Sequence, residues 1–296
     1  MGSTVRPTGR IRYALLVTLT YLDQNALIEL GRRSGKEEFR KKLDATIGAG
    51  VLTIVVSVFH LVETAKTSKA QNALRLADFI DSLNVMWLSQ DTRRIDICEN
   101  FYKFAKVTYE TPQRVTDRAT ALCGRGREVG KYDVSAREFV RELISKPKHL
   151  ASLVIQVQNC TDALAGVRKK TRAGTLSPEA IRRANERVIG AGMPRCTPSG
   201  VAVGSEISAE YIHQVNVATI PTVALECAIS EHERTRNDYA DGNTLYDKFH
   251  LIYALPYVDE FVSRDKFFKR IYPIAQSTGH ARATLIDNDD FLKRFE

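Results

Sequence analysis

The stretch Tyr13–Leu22 reads YALLVTLTYL and runs straight into Asp23, Gln24 and Asn25. It is apolar and β-branched almost throughout, with no strict alternation of faces. That pattern predicts a strand buried on both sides, as in a parallel sheet covered by helices. Arg10 and Arg12 just before it suggest a secretory leader. However, no small-residue cleavage site follows, and Asp23 ends the apolar run. Arg6 stands where N-myristoylation needs Ser or Thr. The longest nearly uncharged runs, Tyr13–Leu22 and Ile47–Phe59, fall short of the roughly 20 residues that span a bilayer. A cytoplasmic protein without a membrane partner is expected.

Outward from this strand, Gln24–Arg32 reads as a short helix closed near Gly31. Ser34 with Glu37 fits a capping box that starts a helix through about Ile47, ended by Gly48 and Gly50. Val51–Val56 (VLTIVV) is a second buried strand, and Val85–Leu88 (VMWL) a third. Between them Phe59–Leu83 is helical in one or two pieces, with a restart at Ser68. Strand and helix in alternation predict a parallel sheet with helices on both faces.

From Ile95 to Arg236 strand-like runs disappear. Helical periodicity recurs in Ile95–Val107, Ser135–Ser145, Leu150–Lys170, Ser177–Ile189 and Glu206–Glu233. The α/β pattern then returns: helix Leu245–Leu255, strand Tyr257–Ser263, helix Lys266–Tyr272, strand Ala281–Ile286 and helix Asn288–Phe295. The simplest architecture is α/β, a three-layer α/β/α core with a mostly parallel sheet. Residues 11–92 and 237–296 would form that core, and 93–236 a helical insertion.

The chain has 296 residues, is 44% hydrophobic and 26% charged, which fits a folded globular protein rather than a disordered one. Its net charge of +8 is unevenly spread. Residues 93–195 hold 21 Lys and Arg against 11 Asp and Glu, whereas residues 196–296 hold 10 against 15. A basic middle beside an acidic end suits a polyanion-binding surface next to a cation site. Cys98, Cys123, Cys160, Cys196 and Cys227 are widely spaced and odd in number, so neither a zinc ribbon nor a disulfide framework is indicated. Gly124–Lys131 is one residue short of a Walker loop, and Tyr132 replaces its Ser or Thr. No strand precedes it, as a dinucleotide fingerprint requires. Cys227 and His232 offer only a lone pair at unhelpful spacing for zinc.

Asp23 and Asp265 each stand just past a predicted strand, where open parallel sheets form their sites. Carboxylates gathered there repel one another unless a cation sits among them, and Mg²⁺ or Mn²⁺ prefers such hard oxygen ligands. Four segments in order then resemble the PIN-domain nuclease family. Leu22–Ile28 looks like its opening motif, with Asp23 followed by the small polar Asn25. Ser57–Glu63 resembles its second motif, a Ser after a strand and then a helical Glu. Asp247–His250 with Ala254 is similar to the third, and Val262–Phe268, containing Ser263 and Asp265, to the fourth.

The resemblance covers roughly residues 11–90 and 240–296. It departs from compact PIN domains in the long span between Glu63 and Asp247, which leaves Asp238 and Asp241 as rivals to Asp247 for the third acid. The resemblance implies a metal-dependent endonuclease acting on RNA. Asp23, Glu63, Asp247 and Asp265 would be its catalytic metal ligands, directly or through water, and Asn25 and Ser263 would orient ligands or water.

Plainer roles compete at each position. Asp23 and Asp265 would serve as helix caps, Asp247 as the last residue of a Thr244–Asp247 capping box, and Glu63 as a solvated helix residue. His250 reads as a packed helix residue rather than a base. Arg168, Lys169, Lys170 and Arg172, with Arg182, Arg183 and Arg187, are either solvated helix faces or a phosphate-binding surface. A non-catalytic PIN-like module that binds nucleic acid or protein, and a DNA-cleaving nuclease of the same fold, are the rival functions. Members of that family often pair, so a homodimer or a protein partner is compatible with the sequence.

Overall fold

A computed structural model describes residues 17–67, 69–117, 135–146, 148, 189–190, 193–194, 204–235 and 242–296. Among these residues six strands form one sheet: β1 (Thr18–Leu22), β2 (Leu52–Ser57), β3 (Met86–Leu88), β4 (Val115–Thr116), β5 (Glu260–Val262) and β6 (Thr284–Ile286), in the order β4-β3-β2-β1-β5-β6. All neighbours pair in parallel except β3 and β4. The described helices are α1 (Gln24–Arg33), α2 (Glu37–Gly48), α3 (Val58–Ala65), α4 (Ala70–Asp81), α5 (Thr92–Phe104), α6 (Ala136–Ser145), α7 (Ser205–Gln214), α8 (Pro221–Thr235), α9 (Gly242–Ala254), α10 (Lys266–Ser277) and α11 (Asn288–Leu292). None of them is long and apolar enough to cross a membrane.

Because side chains alternate along a strand, each central strand feeds two cores. Leu22, Ile54, Val56, Trp87 and Val262 join Leu27, Leu30, Phe39, Leu61, Ile80 and Phe291 on one face. Tyr21, Val55, Leu88 and Phe261 join Leu225, Ile229, Leu251, Phe268 and Ile271 on the other. The described parts of 93–236 contribute to both, through Ala136, Val140 and Leu143 on the first face and α8 on the second. A third cluster packs Ile97, Phe101 and Tyr102 of α5 against Tyr211, Ile220 and Val223. The buried carboxylate of Asp96 ties α5 to its surroundings. It accepts from the Thr222 N–H (3.2 Å) and hydroxyl (2.8 Å), from Arg114 (3.1 Å) and from the Tyr257 hydroxyl.

Several local expectations are corrected. The capping box at Ser34 does not form, because α1 runs on to Arg33 and consumes that serine. Ser34 Oγ donates to the Leu30 carbonyl (2.8 Å), and Lys36 precedes α2 without a side-chain cap. Gly50 does close α2's end, at a positive φ of 68° that suits glycine. The helical span 59–83 breaks into α3 and α4, with Lys69 preceding the second. Ser68 lies outside the described residues, as do Leu150–Lys170 and Ser177–Arg187. Glu206–Glu233 divides into α7, a 3₁₀ turn at Val217–Thr219, and α8, where Pro221 takes the first helical position it favours. β4 is a strand in a region where none was expected. At two residues it is too short for periodicity to reveal, and it pairs only as an antiparallel edge.

Candidate carboxylate site

The chain winds from β1 through β2 to β3 on one side and returns to β5 on the other side of β1. The carboxyl ends of strands at such a reversal are where sheets of this kind bind ligands. Asp23 follows β1, Ser57 ends β2, and α3 carries His60 and Glu63. Ser263 and Asp265 follow β5, and Asp247 and His250 lie on α9, which precedes it.

Asp23 is 2% exposed and its two oxygens have separate tasks. Oδ1 accepts the Ala26 N–H (2.6 Å) and caps α1. Oδ2 accepts the hydroxyl of Ser263. The same Ser263 Oγ accepts the Asp265 N–H (3.0 Å), while Asp265 Oδ1 accepts the Phe267 N–H (2.7 Å) and caps α10. One buried serine thus holds both aspartates in register, helped by the Asp23 N–H bonded to the Val262 carbonyl (3.0 Å). Burial raises the Asp23 carboxyl above its ordinary range. The Ser263 and Ala26 hydrogen bonds and His250 oppose that rise, and Asp265 adds to it.

Asp247 lies partly buried on α9, close to the other three acids. Burial pushes its carboxyl up to about 7, His250 acts in the opposite direction, and Glu63, Asp265 and Asp23 each push it further up. Among the described residues no hydrogen bond or ion pair engages its side chain. Thr244 lies inside α9, which starts at Gly242, so Thr244 is not the N-cap that the proposed capping box needs. The four carboxylates therefore share one electrostatic neighbourhood with no Lys or Arg among the forces acting on Asp247.

Behind the acids lies a buried polar network. His250 Nε2 is 2.8 Å from Glu63 Oε2, and its Nδ1 is 2.5 Å from the Tyr21 hydroxyl. That hydroxyl is 2.7 Å from Ser57 Oγ, which lies 3.2 Å from His60 Nδ1. His60 Nδ1 accepts the Ser57 N–H (3.0 Å), so its proton sits on Nε2 and is donated to the Leu22 carbonyl (2.6 Å). Burial, then the proximity of His250, holds His60 well below the ordinary histidine range, and it is neutral. His250 is packed, as its sequence setting suggests, and it is also the link between Glu63 and this network. Tyr21 and His60 form the part of the site that sequence reasoning missed, whereas Ser57 is singled out there as the serine of the second motif. The available signal was a Ser-x-x-His at the start of α3 and a tyrosine at the end of an otherwise aliphatic strand.

The donor set suits a hard divalent ion chemically: carboxylate oxygens, buried at Asp23 and partly buried at Glu63, Asp247 and Asp265, and mutually repelling. Geometrically it is open. Among the described residues no three His, Cys, Asp or Glu side chains converge as a metal-binding group. Mg²⁺ is compatible with that openness, because it usually keeps several waters and takes only one or two protein carboxylates beside substrate phosphates. Asn25 is exposed in the first turn of α1. Asp238 and Asp241, and the basic residues Arg168, Lys169, Lys170, Arg172, Arg182, Arg183 and Arg187, lie outside the described residues. Cys98 and Cys227 carry reduced thiols; Cys123, Cys160 and Cys196 also lie outside. The chain matches no protein-family model, no curated protein and no solved structure.

Proposed function

We propose that this chain is a PIN-like, divalent-metal-dependent endonuclease that hydrolyses phosphodiester bonds in RNA, built on a three-layer α/β/α core. One observation carries the proposal. The carboxylates of Asp23, Glu63, Asp247 and Asp265 share one neighbourhood, and no Lys or Arg is among the charges acting on Asp247, which burial and the other three acids push up. Such a cluster is costly unless a cation or protons neutralise it. Its position at the reversal of strand order and the four ordered motifs of the sequence support the same reading.

Asp23, Glu63, Asp247 and Asp265 would hold Mg²⁺ or Mn²⁺, directly or through water. When bound, the ion supplies a water of lowered pKa and Lewis-acid charge for the phosphoryl oxygens. The protein's own contribution is orientation. Ser263 aims Asp23 and fixes the loop of Asp265, the α1 and α10 amides hold the inner oxygens, and Asn25 would order water at the rim. Arg168, Lys169, Lys170, Arg172, Arg182, Arg183 and Arg187 would take the phosphate backbone, since neutralising each phosphate releases counterions.

Incubation of labelled RNA and DNA side by side with Mn²⁺, Mg²⁺ or EDTA tests this. RNA cleavage abolished by EDTA is expected; DNA cleavage alone would move the substrate to DNA, and no cleavage of either would reject the nuclease. The open geometry of the acids and the capping roles of Asp23 and Asp265 favour one second reading, a non-catalytic PIN-like binding module. That reading requires RNA binding that is unaffected by Mn²⁺ and by neutralising both aspartates.

A further inference from the structure

We infer that His250 is a positioning residue for Glu63, the centre of a buried clamp that presets this carboxylate for a cation; the inference rests on the metal-dependent reading above. Glu63 sits on α3 with its side chain 16% exposed, at the outer edge of the buried network. A carboxylate offers only acceptors, so His250 Nε2 carries a proton and donates to Oε2. One oxygen of Glu63 is thereby committed to the protein, and the other is left for an ion or its water.

The ring that makes this bond is itself held from behind. Tyr21 bonds Nδ1, Ser57 bonds Tyr21, and His60 ties Ser57 to the carbonyl of Leu22, the residue before Asp23. The chain of bonds runs from the end of β1 to the tip of Glu63. It links the strand that places one acid to the side chain of another. His250 is 1% exposed, and Tyr21 and His60 are fully buried. Packing alone does not account for these residues. Phe and Leu would fill similar space without polar atoms that must each find a partner. Partners that orient metal ligands in this way typically alter metal affinity about 10–100-fold when removed.

The test is Mn²⁺ binding to the full chain without nucleic acid, followed by the paramagnetic resonance of free Mn²⁺ and by calorimetry. His250→Gln keeps a donor amide, His250→Met has the same length and none, and Tyr21→Phe removes one oxygen from behind the ring. The expected result is affinity about 10–100-fold weaker for the Met variant, restored to within a few-fold of wild type by Gln, and intermediate for Tyr21→Phe. Met and Gln variants that both bind as wild type would overturn the clamp while leaving the nuclease reading intact. Wild type that binds no Mn²⁺ would overturn the metal-dependent reading, and the clamp with it. If His250→Met fails to fold, Tyr21→Phe decides, and unchanged affinity there overturns the inference.

Discussion

Ser263 and Asp23 lie 240 positions apart in the chain, yet the hydroxyl of one donates directly to Oδ2 of the other. Ser263 also receives the Asp265 N–H, so one side chain sets the spacing of two acids from neighbouring strands. Ser263→Ala leaves Asp23 Oδ2 buried without its donor. A cost of about 1–3 kcal/mol is expected, as for other buried acceptors left unsatisfied. Urea unfolding at neutral pH measures it. The hydroxyl also lowers the Asp23 carboxyl pKa, so losing it shifts that group further up. Stability unchanged by the substitution would show that this bond contributes little.

Asp247 gives a prediction in pH. Its folded-state value of about 7 lies above the ordinary 3.8, so the folded chain retains a proton that the unfolded chain releases. Ionising Asp247 therefore costs nothing below pH 3.8, costs progressively more up to about 7, and its full penalty persists above that. Asp247→Asn removes the penalty. Its thermal midpoint should match wild type near pH 4 and exceed it at pH 8.5, by about 2–4 kcal/mol of stability at 1.36 kcal/mol per unit. Added Mn²⁺ should narrow the gap at pH 8.5 by stabilising wild type. A difference independent of pH would contradict the environment assigned to Asp247.

Asp96 is a contrasting carboxylate, buried but fully partnered by Thr222, Arg114 and Tyr257. Its role is to fasten α5 to α8 and to the turn before β5. Asp96→Ala leaves the Thr222 and Tyr257 hydroxyls without their acceptor and Arg114 with only the exposed Glu99, and should cost about 1–3 kcal/mol in urea unfolding. Loss below about 1 kcal/mol would mean the surrounding groups find other partners.

The sequence made the sheet's centre legible because β1 and β2 are buried on both faces and therefore apolar without interruption. It also placed Asp23 and Asp265 just beyond strand ends, where they stand. It raised helix capping as a role for both, which the geometry at α1 and α10 bears out, but not their sharing of Ser263, since that depends on β1 and β5 being neighbours. Tyr21 and His250 are 229 positions apart, and only folding brings the network together. Ser34 misled because a serine followed three residues later by Glu fits an N-cap, whereas here it finishes the preceding helix. The strand expected at Tyr257–Ser263 narrows to Glu260–Val262, because only those residues pair with β1 and β6. Pro273 lies exposed within α10, where it removes one i→i−4 hydrogen bond that periodicity alone would have assigned to the helix.

The basic middle gives a prediction that is independent of the acids. Replacing Arg168, Lys169 and Lys170 with Gln should weaken RNA binding. It should also flatten the salt dependence, by about one unit of slope for each phosphate that is no longer neutralised. Mn²⁺ affinity should stay as in wild type. Filter binding across a salt series reads both affinity and slope, and an unchanged slope would assign these residues to a solvated face.

The most direct test of the cation site compares wild type with Asp23→Asn/Asp265→Asn on labelled RNA in Mn²⁺. Asparagine caps helices about as well as aspartate, so the substitution preserves α1 and α10; at Asp23 the amide NH2 that replaces Oδ2 can donate to Ser263 Oγ instead of accepting from it. Mn²⁺-dependent cleavage by wild type, lost in a double variant that still unfolds cooperatively in urea, is the expected result. Cleavage retained by that folded variant would contradict the assignment of these carboxylates to the metal.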